Sequence, residues 1–345
     1  MRRAVFWRTP PGWAPSPPDI FAPAADRGEN VEHHSGKLPR KPTLKARAIC
    51  NPASGGGGYS PEEVRRALDG FELEWIETEQ KGDAREAARE WTEGLLIVVG
   101  GDGTVNETVN GLGLAGFPPD VTLGLLPTGT GNDLAATLGI PEDHESAVET
   151  LRQRRVRTLD AAKVNSTGIG ERYFINVATG GLGAKISGVT DRDTKGRWGK
   201  LAYFRASLEL AREFDVQKIS LTLDGKERRV RAVNVAVGNC RYSGGGWLAA
   251  PTANPEDGLL DVVVIEDVGL GEVLGLAPAA LARSDYIDKE GVFHARAKEV
   301  RVGSKPGDMQ FTTDGEVIGD EPANFSVIPG AIRLVVGGDY VPQPE

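Results

Sequence analysis

The chain is poor in the residues that usually build disulfide frameworks and metal centres. It has two cysteines, Cys50 and Cys240, which are far apart in a sequence of 345 residues. This spacing excludes a disulfide-stapled scaffold and a CxxC zinc site, so a reducing cytoplasmic location is expected. Four histidines leave little material for a histidine-based metal site. Chemistry in this chain should therefore depend on carboxylates.

Long apolar runs and an excess of positive charge are also missing. No stretch reaches the roughly 18 apolar residues that a transmembrane helix needs. No apolar segment follows Arg2 and Arg3, as it would in a secretory signal. Lys and Arg number 40 against 49 Asp and Glu, which gives a net charge of −9. An acidic balance of this kind disfavours a nucleic-acid partner.

The order of strand-like and helix-like segments predicts two domains after an N-terminal extension. Residues 1–43 are rich in proline and lack apolar periodicity, which is typical of disorder. Residues 44–155 alternate strand and helix patterns, which predicts a three-layer α/β domain with a parallel sheet. Its strands are predicted at Ala46–Cys50, Phe71–Ile76, Leu95–Val99 and Val121–Leu126.

Residues 156–325 show mostly strand patterns and predict a β-rich, sandwich-like second domain. The strands predicted after residue 155 are Thr158–Val164, Tyr173–Val177, Ile219–Leu223, Val230–Val237, Leu259–Ile265, Val300–Val302 and Ile332–Val336. Helices are predicted only at Leu201–Phe214 and at about Leu270–Arg283. The C-terminal residues, from about 326 to 345, are expected to return to the first domain.

Three glycine-rich turns follow predicted strands of the α/β domain. They are Asn51–Gly55 (NPASG), Gly100–Glu107 (GGDGTVNE) and Pro127–Asp133 (PTGTGND). The carboxyl ends of parallel strands share one edge of a sheet, where ligands bind, so these turns should converge. Glycines let the backbone approach an anion, and a helix N-terminus attracts phosphate. The turns therefore predict a nucleoside triphosphate site, although neither the Walker pattern nor GxGxxG is present; three plain tight connections are the alternative.

The same three motifs resemble the catalytic domain of the diacylglycerol kinase family, bacterial lipid kinases related to the sphingosine kinases. The resemblance runs from residue 45 to about residue 340, and it implies ATP bound in a cleft between the α/β and β-rich domains. The implied ATP contacts are Asn51, Pro52, Ala53, Ser54, Gly55, Thr78, Gly100, Gly101, Asp102, Gly103, Thr104, Val105, Asn106 and Thr130. Thr78 is included because the run Thr78–Ala84 fits the family's T…GDA stretch; a simple turn residue is the alternative.

The resemblance also implies a magnesium site in the second domain. The segment Asn254–Asp261 (NPEDGLLD) is similar to the family's magnesium-holding turn. Its implied ligands are the Asp257 carboxylate and the main-chain oxygens of Asn254 and Leu259. Magnesium prefers oxygen ligands and keeps several waters, so one carboxylate with carbonyls suffices. The alternative is that Asp257-Gly258 is a hairpin turn, and both interpretations can hold together.

A late segment, Thr313–Glu316 (TDGE), resembles the family's catalytic motif. Asp314 and Glu316 are both candidates for the general base that takes the proton of the acceptor hydroxyl. Asp102 is implied to orient water, metal or hydroxyl. In an extended segment, side chains two residues apart point to the same side, so the sequence leaves the choice of base open. The alternative is that Asp314-Gly315 is an ordinary turn of the β-rich domain.

Taken together, the sequence predicts an ATP- and magnesium-dependent lipid kinase that phosphorylates a hydroxyl of diacylglycerol or a related lipid. Such an enzyme would meet its lipid substrate at the membrane surface by peripheral contact. One alternative is a kinase of the same superfold with a soluble acceptor such as NAD. Another is a non-catalytic nucleotide- or lipid-sensing module. The acceptor lipid and the oligomeric state stay open, with a homodimer among the alternatives.

Overall fold

The ordered architecture begins at residue 44, where the first strand of a parallel sheet starts. The structure is a computed structural model that describes residues 44–54, 60–166, 170–184, 216–267, 286–304, 309–319 and 322–343. The predicted extension 1–43 and the predicted helices Leu201–Phe214 and Leu270–Arg283 lie outside the described residues.

The parallel sheet contains the four strands that the sequence predicts for the α/β part. They are β1 (Leu44–Cys50), β2 (Phe71–Glu77), β3 (Gly94–Gly100) and β4 (Val121–Pro127). Their order across the sheet is β4-β3-β1-β2, and all three pairings are parallel. The described helices of this part are α1 (Pro61–Ala67), α2 (Asp83–Arg89), α3 (Asp102–Leu114), α4 (Asp133–Thr137) and α5 (His144–Gln153). The predicted α/β architecture is thus confirmed.

Apolar patterning explains how the helices cover this sheet. Strands β3 and β4 are buried along nearly their whole length, as expected for a sheet covered on both faces. Right-handed crossovers place α1 on one face and α2 and α3 on the other. Helix α2 packs against α3, in agreement with that rule. Helix α3 buries Val105, Val109 and Leu112. Because the helix begins directly after β3 ends, its N-terminus lies at the carboxyl edge of that strand.

The remainder of the described chain is mainly antiparallel β-structure, which confirms the predicted β-rich part. Its strands are β5 (Val156–Ser166), β6 (Gly170–Phe174), β7 (Val177–Gly181), β8 (Gln217–Leu223), β9 (Lys226–Gly238), β10 (Tyr242–Ser243), β11 (Trp247–Leu248), β12 (Leu260–Glu266), β13 (Val292–Ala297), β14 (Glu299–Gly303), β15 (Phe311–Thr313), β16 (Glu316–Gly319) and β17 (Ala323–Val335). A second apolar cluster, which includes Phe174, Phe311 and Phe325, forms its core.

The long strand β17 connects the two kinds of sheet. Its first part pairs antiparallel with β14, and it also runs antiparallel along β5. Near its end, Arg333 and Leu334 pair in parallel with β4. Leu334 and Val335 belong to the apolar core of the parallel sheet. A single strand therefore joins the antiparallel part to the edge of the parallel sheet.

The structure differs from the predicted strands around residue 175. The predicted strand Tyr173–Val177 is divided into β6 and β7, because the chain leaves the ladder at Ile175 and Asn176. The N–H groups of these two residues donate to the Asp314 carboxylate at 3.1 and 3.0 Å instead of to a neighbouring strand. The short strands β15 and β16, on either side of Asp314, were not predicted. Within the described ranges, no helix combines the length and apolarity needed to cross a bilayer.

Candidate active site

The glycine-rich loops meet at the carboxyl edge of the parallel sheet and are tied together by side chains. The Asn51 side-chain amide donates to Thr104 Oγ1 at 3.2 Å, which links the loop after β1 to α3. Ser54 Oγ lies 2.5 Å from Thr128 Oγ1, which links the same loop to the loop after β4. The convergence that the sequence predicts is present in the structure, while Gly55 lies outside the described residues.

Two glycines allow the second and third loops to touch through their backbones. A Cβ on Gly101 would lie 2.9 Å from Gly129 Cα, and a Cβ on Gly129 would lie 2.5 Å from Gly101 Cα. Neither position accepts a side chain unless the loops move apart. Gly103 is different, because a Cβ there would have nothing within 4 Å. The side of the first turn of α3 that Gly103 faces is therefore open, and the N–H groups of a first helical turn lack partners within the helix, as an anion site requires.

An acidic pair joins these loops to the β-rich part. Asp102 Oδ1 accepts the Asp133 N–H at 2.8 Å. The Asp133 carboxylate accepts the N–H groups of Gly245 and Gly246 at 2.7–3.1 Å. Burial, with the like charge of Asp102 nearby, raises the pKa of Asp133. The sequence motif alone assigns Asp133 no role, because Gly245 and Gly246 are more than 100 residues away from it and only the fold brings them together.

The Asp314 side chain anchors a tight turn against α3 and the break after β6. Asp314 and Gly315 form the two-residue connection between β15 and β16, with φ of 47° and 85°, as in a type I′ hairpin. The Asp314 carboxylate accepts the N–H groups of residues 175, 176 and 177 at 3.0–3.2 Å. It also accepts the Asn106 side-chain amide at 3.3 Å. Burial outweighs these donors and raises the pKa of Asp314 to about 6.

Glu316 begins the strand after this turn and has different surroundings. The predicted extended arrangement of Asp314 and Glu316 is therefore wrong, because Asp314 sits in the turn itself. The Glu316 side chain is 46% exposed, and its Oε2 lies 2.5 Å from Lys81 Nζ. Lys81 belongs to the loop between Thr78 and α2. No local sequence pattern marks Lys81 or its contact with Glu316, because the two residues are 235 positions apart.

The GGDG segment also positions the loop that follows β2. Glu107 ends that motif, and both of its carboxylate oxygens accept the Gly82 N–H at 3.0 Å. The Thr78 N–H donates to the Cys50 carbonyl at 2.8 Å, so this loop starts beside the first glycine-rich loop. Thr78 therefore lies at the same sheet edge as Asn51.

The remaining implied ATP contacts differ in what they offer a ligand. Pro52, Ala53 and Thr130 are exposed at loop surfaces. The side chains of Thr104 and Val105 are buried, so these residues can offer a ligand only their backbone. Gly100 packs tightly on Thr104, since a Cβ on Gly100 would lie 2.6 Å from the Thr104 side chain. Gly100 and Thr104 therefore fix the shape of the turn through their contact with each other.

The implied magnesium ligands lie together in one turn before β12. The Asp257 N–H approaches the Asn254 carbonyl at 3.4 Å, and Asp257 Oδ1 accepts the Leu259 N–H at 3.0 Å. Arg296 Nη1 is 3.5 Å from Asp257 Oδ2. These contacts place the Asp257 carboxylate and the Asn254 carbonyl in one turn, and oxygens of these two kinds are the ligands that a hard cation prefers. The described part of the chain contains no cluster of three or more His, Cys, Asp or Glu side chains for a metal, so this site would depend on main-chain oxygens and water.

Buried polar groups link the Asn254–Leu259 turn to the region of Asp314. The Asp160 carboxylate accepts the N–H groups of Gly258 and Gly330, both at 2.7 Å. The Asn239 side-chain amide donates to the carbonyls of Asp160 and Ile175 at 3.0 and 2.8 Å. Ile175 in turn donates its N–H to Asp314. A continuous hydrogen-bonded path therefore connects the candidate metal turn with the candidate catalytic turn.

These features define the class of the protein. A parallel sheet with converging glycine-rich turns and a helix N-terminus is an arrangement suited to a phosphate-bearing ligand. An acidic turn from the β-rich part is held on the same helix, α3. Phosphate loops with carboxylates beside them are the parts of a phosphoryl-transfer enzyme.

Comparisons with known proteins identify the family. Residues 45–164 match the diacylglycerol kinase catalytic domain, and residues 176–336 match the YegS C-terminal NAD kinase beta sandwich-like domain. A diacylglycerol kinase from Staphylococcus saprophyticus is 33% identical over 307 residues, which are 86% of this chain and 96% of that protein. One from Bacillus subtilis is 33% identical over 87% of this chain and 98% of that protein.

Solved structures agree with these sequence matches. A crystal structure of a diacylglycerol kinase from Bacillus anthracis matches with a TM-score of 0.66 and 25% identity, over 87% of this chain and all of that chain. A second crystal structure from the same organism gives a TM-score of 0.71 at 27% identity, over 90% of this chain and all of that chain. The chain belongs to the diacylglycerol kinase family.

Proposed function

We propose that this chain transfers the γ-phosphoryl group of ATP to the free hydroxyl of diacylglycerol. As a member of the diacylglycerol kinase family it is a lipid kinase, an enzyme that phosphorylates an alcohol. The observation that carries the proposal is the double role of α3. Its N-terminus belongs to the GGDG loop, and its Asn106 holds the Asp314 turn at 3.3 Å. The loops that we propose for phosphate and the turn that we propose for catalysis are thus linked through one helix.

The triphosphate of ATP is proposed to lie at the N-terminus of α3. N–H groups of the first helical turn and the helix dipole favour an anion at this place. Backbone groups of Gly100–Asn106 would contact the phosphates, with Asn51–Ser54 and Thr130 on the neighbouring loops. Thr78 would contact the nucleotide from the loop after β2, which starts beside the Asn51–Ser54 loop. The hydrogen bonds between these loops hold them in place before a nucleotide arrives.

Glu316 is the residue that we assign as general base. The Asp314 carboxylate already accepts four donors, so it serves to hold the turn in place. Glu316 begins the adjoining strand with a partly exposed carboxylate. In the proposed step, the lipid oxygen forms a bond to the γ-phosphorus while its proton passes to Glu316. The bond to the bridging oxygen breaks, and its electron pair leaves with ADP.

Magnesium is proposed to bind the Asn254–Leu259 turn through the Asp257 carboxylate and the carbonyls of Asn254 and Leu259. The oxygen donors gathered there support this assignment. A bound ion would supply positive charge that balances Asp257 and the neighbouring Asp160. Asp160 already holds the same turn by accepting the Gly258 N–H. Loss of the ion should therefore weaken the hydrogen-bonded path that connects this turn with Asp314.

A diacylglycerol acceptor lies in a bilayer, so we propose peripheral membrane contact by a cytoplasmic enzyme.

An acceptor screen tests the proposed function. The purified chain is incubated with γ-labelled ATP, magnesium and vesicles that carry one lipid alcohol each, with dissolved NAD as the soluble acceptor. Diacylglycerol should take the label fastest. Label on NAD would instead support the soluble-acceptor alternative, and nucleotide binding without transfer to any acceptor would support a sensing module.

A further inference from the structure

The loop after Thr78 is held in a fixed shape although it lies at the surface. Asp83 Oδ2 accepts the N–H groups of Glu79 and Gln80 at 2.9 and 3.0 Å. The Gly82 N–H donates to the Glu107 carboxylate, and Gly82 has φ of 101°, a conformation that favours glycine. The backbone is thus fixed on both sides of Lys81. A surface lysine on a loose loop would have no such support.

Lys81 and Glu316 are both placed by one short stretch of α3. Glu107 holds the loop that carries Lys81, and the preceding residue, Asn106, holds the turn that precedes Glu316. The loop and the turn that α3 holds also contact each other, because Lys81 Nζ lies 2.5 Å from Glu316 Oε2. Asn106 follows Asp102 by four residues, which is about 6 Å along the helix at ~1.5 Å per residue. The two residues of α3 that hold the Lys81 loop and the Asp314 turn therefore lie about one helical turn or slightly more from the candidate phosphate site.

The phosphate loops themselves carry no positive side chain. Residues 51–60, 100–107 and 127–133 contain no lysine or arginine, while Asp102, Glu107 and Asp133 add negative charge. A triphosphate bound among these groups needs a cation near its γ-phosphate, as phosphoryl-transfer sites generally provide. The Walker lysine meets this need in P-loop proteins, and that lysine is missing here. A flexible lysine stem can provide the charge from an adjacent loop.

We propose that Lys81 is a catalytic residue that contacts the γ-phosphoryl group of ATP, and that Glu316 is its partner in the absence of nucleotide. The assignment rests on the proposed function. When ATP binds, the Lys81 ammonium moves from Glu316 to a γ-phosphate oxygen. Glu316 then has a free oxygen for the acceptor hydroxyl. Lys81 stabilises the charge on the transferred group, and no proton of the ammonium is consumed in the step.

Nucleotide binding tests this contact separately from activity. Affinities for ADP and for a non-hydrolysable ATP analogue are measured by calorimetry on the full-length wild type and on Lys81→Met. We expect Lys81→Met to keep the affinity for ADP and to lose affinity for the analogue by roughly 10–100-fold, the usual effect of one charge-assisted hydrogen bond. Lys81→Arg should recover part of the loss. Turnover with ATP should fall in Lys81→Met as well.

Two matched variants separate this contact from other effects of charge. Lys45→Met removes another exposed lysine, which pairs with Glu93 at 3.2 Å, and should leave both affinities unchanged. We expect the wild type to bind the ATP analogue more tightly than ADP. Glu316→Gln removes the residue that pairs with Lys81 in the absence of nucleotide, and it should keep this preference for the analogue. Equal loss of ADP and analogue affinity in Lys81→Met would overturn the γ-phosphate contact, as would an unchanged preference for the analogue. A wild type that binds neither nucleotide would contradict the proposed function itself.

Discussion

Replacing Gly103 with alanine should make the protein more stable and, at the same time, a poorer binder of nucleotide. Gly103 lies in the first turn of α3, and an added Cβ would meet nothing within 4 Å. Alanine in a helix is favoured over glycine by ~0.5–1 kcal/mol, so the free energy of unfolding should rise by about that amount. The same methyl group would occupy space that we assign to phosphate. A tenfold loss of ATP affinity, about 1.4 kcal/mol, is the smallest effect expected.

Thermal unfolding and calorimetric titration with ATP measure the two effects on the same sample. Gly101→Ala is the matched control, because its Cβ would lie 2.9 Å from Gly129 Cα. That overpacking should reduce stability by ~1–3 kcal/mol and also weaken binding. Gly103→Ala should therefore separate stability from affinity, whereas Gly101→Ala should lower both. A stabilised Gly103→Ala protein with wild-type ATP affinity would refute the placement of the phosphates at α3.

Two further predictions concern the β-rich part. Because burial raises the pKa of Asp314 to about 6, its folded form binds a proton more tightly than the unfolded chain does. Its contribution to stability is complete below about pH 4 and is lost as the pH rises through about 6. Between these pH values, denaturant unfolding should show the stability of wild type relative to Asp314→Asn falling by about 2 kcal/mol; a constant difference would contradict the raised pKa. Asp257→Asn should raise the magnesium concentration needed for half-maximal activity, since an amide is a weaker ligand than a carboxylate. An unaltered magnesium titration would make Asp257 a turn residue alone.

Local sequence patterns predicted the parts of the fold that local forces decide. Continuous apolar runs gave β3 and β4, and the alternation of strand and helix patterns gave the α/β architecture around them. The break between β6 and β7 could not be predicted in this way. It depends on the Asp314 carboxylate, which is more than 130 residues away and takes the N–H groups that a strand would use.

In the candidate site, too, contacts between residues that are distant in the sequence could not be predicted. Its motifs could be found because glycine, asparagine and aspartate occur in short ordered runs, and the resemblance to a known family assigned their roles. The contacts made by Lys81, Glu107 and Asp133 could not be found, because each depends on a partner that only the fold brings close. The turn geometry at Asp314 was also beyond the sequence, since Asp-Gly fits a turn as well as a catalytic segment. Only the structure distinguishes the anchoring role of Asp314 from the exposed carboxylate of Glu316.

The transfer of label from γ-labelled ATP to diacylglycerol, measured for wild type and Glu316→Gln on the same vesicles, tests the central claim most directly. That claim is that the glycine-rich loops and the turn at Asp314 form one phosphoryl-transfer site. We expect transfer by the wild type and a rate about 10²–10⁴-fold lower in Glu316→Gln, the usual effect of losing a general base. The affinity for ADP should be the same in both proteins. Near-normal transfer by Glu316→Gln would show that the segment after the Asp314 turn does not belong to the phosphoryl-transfer site.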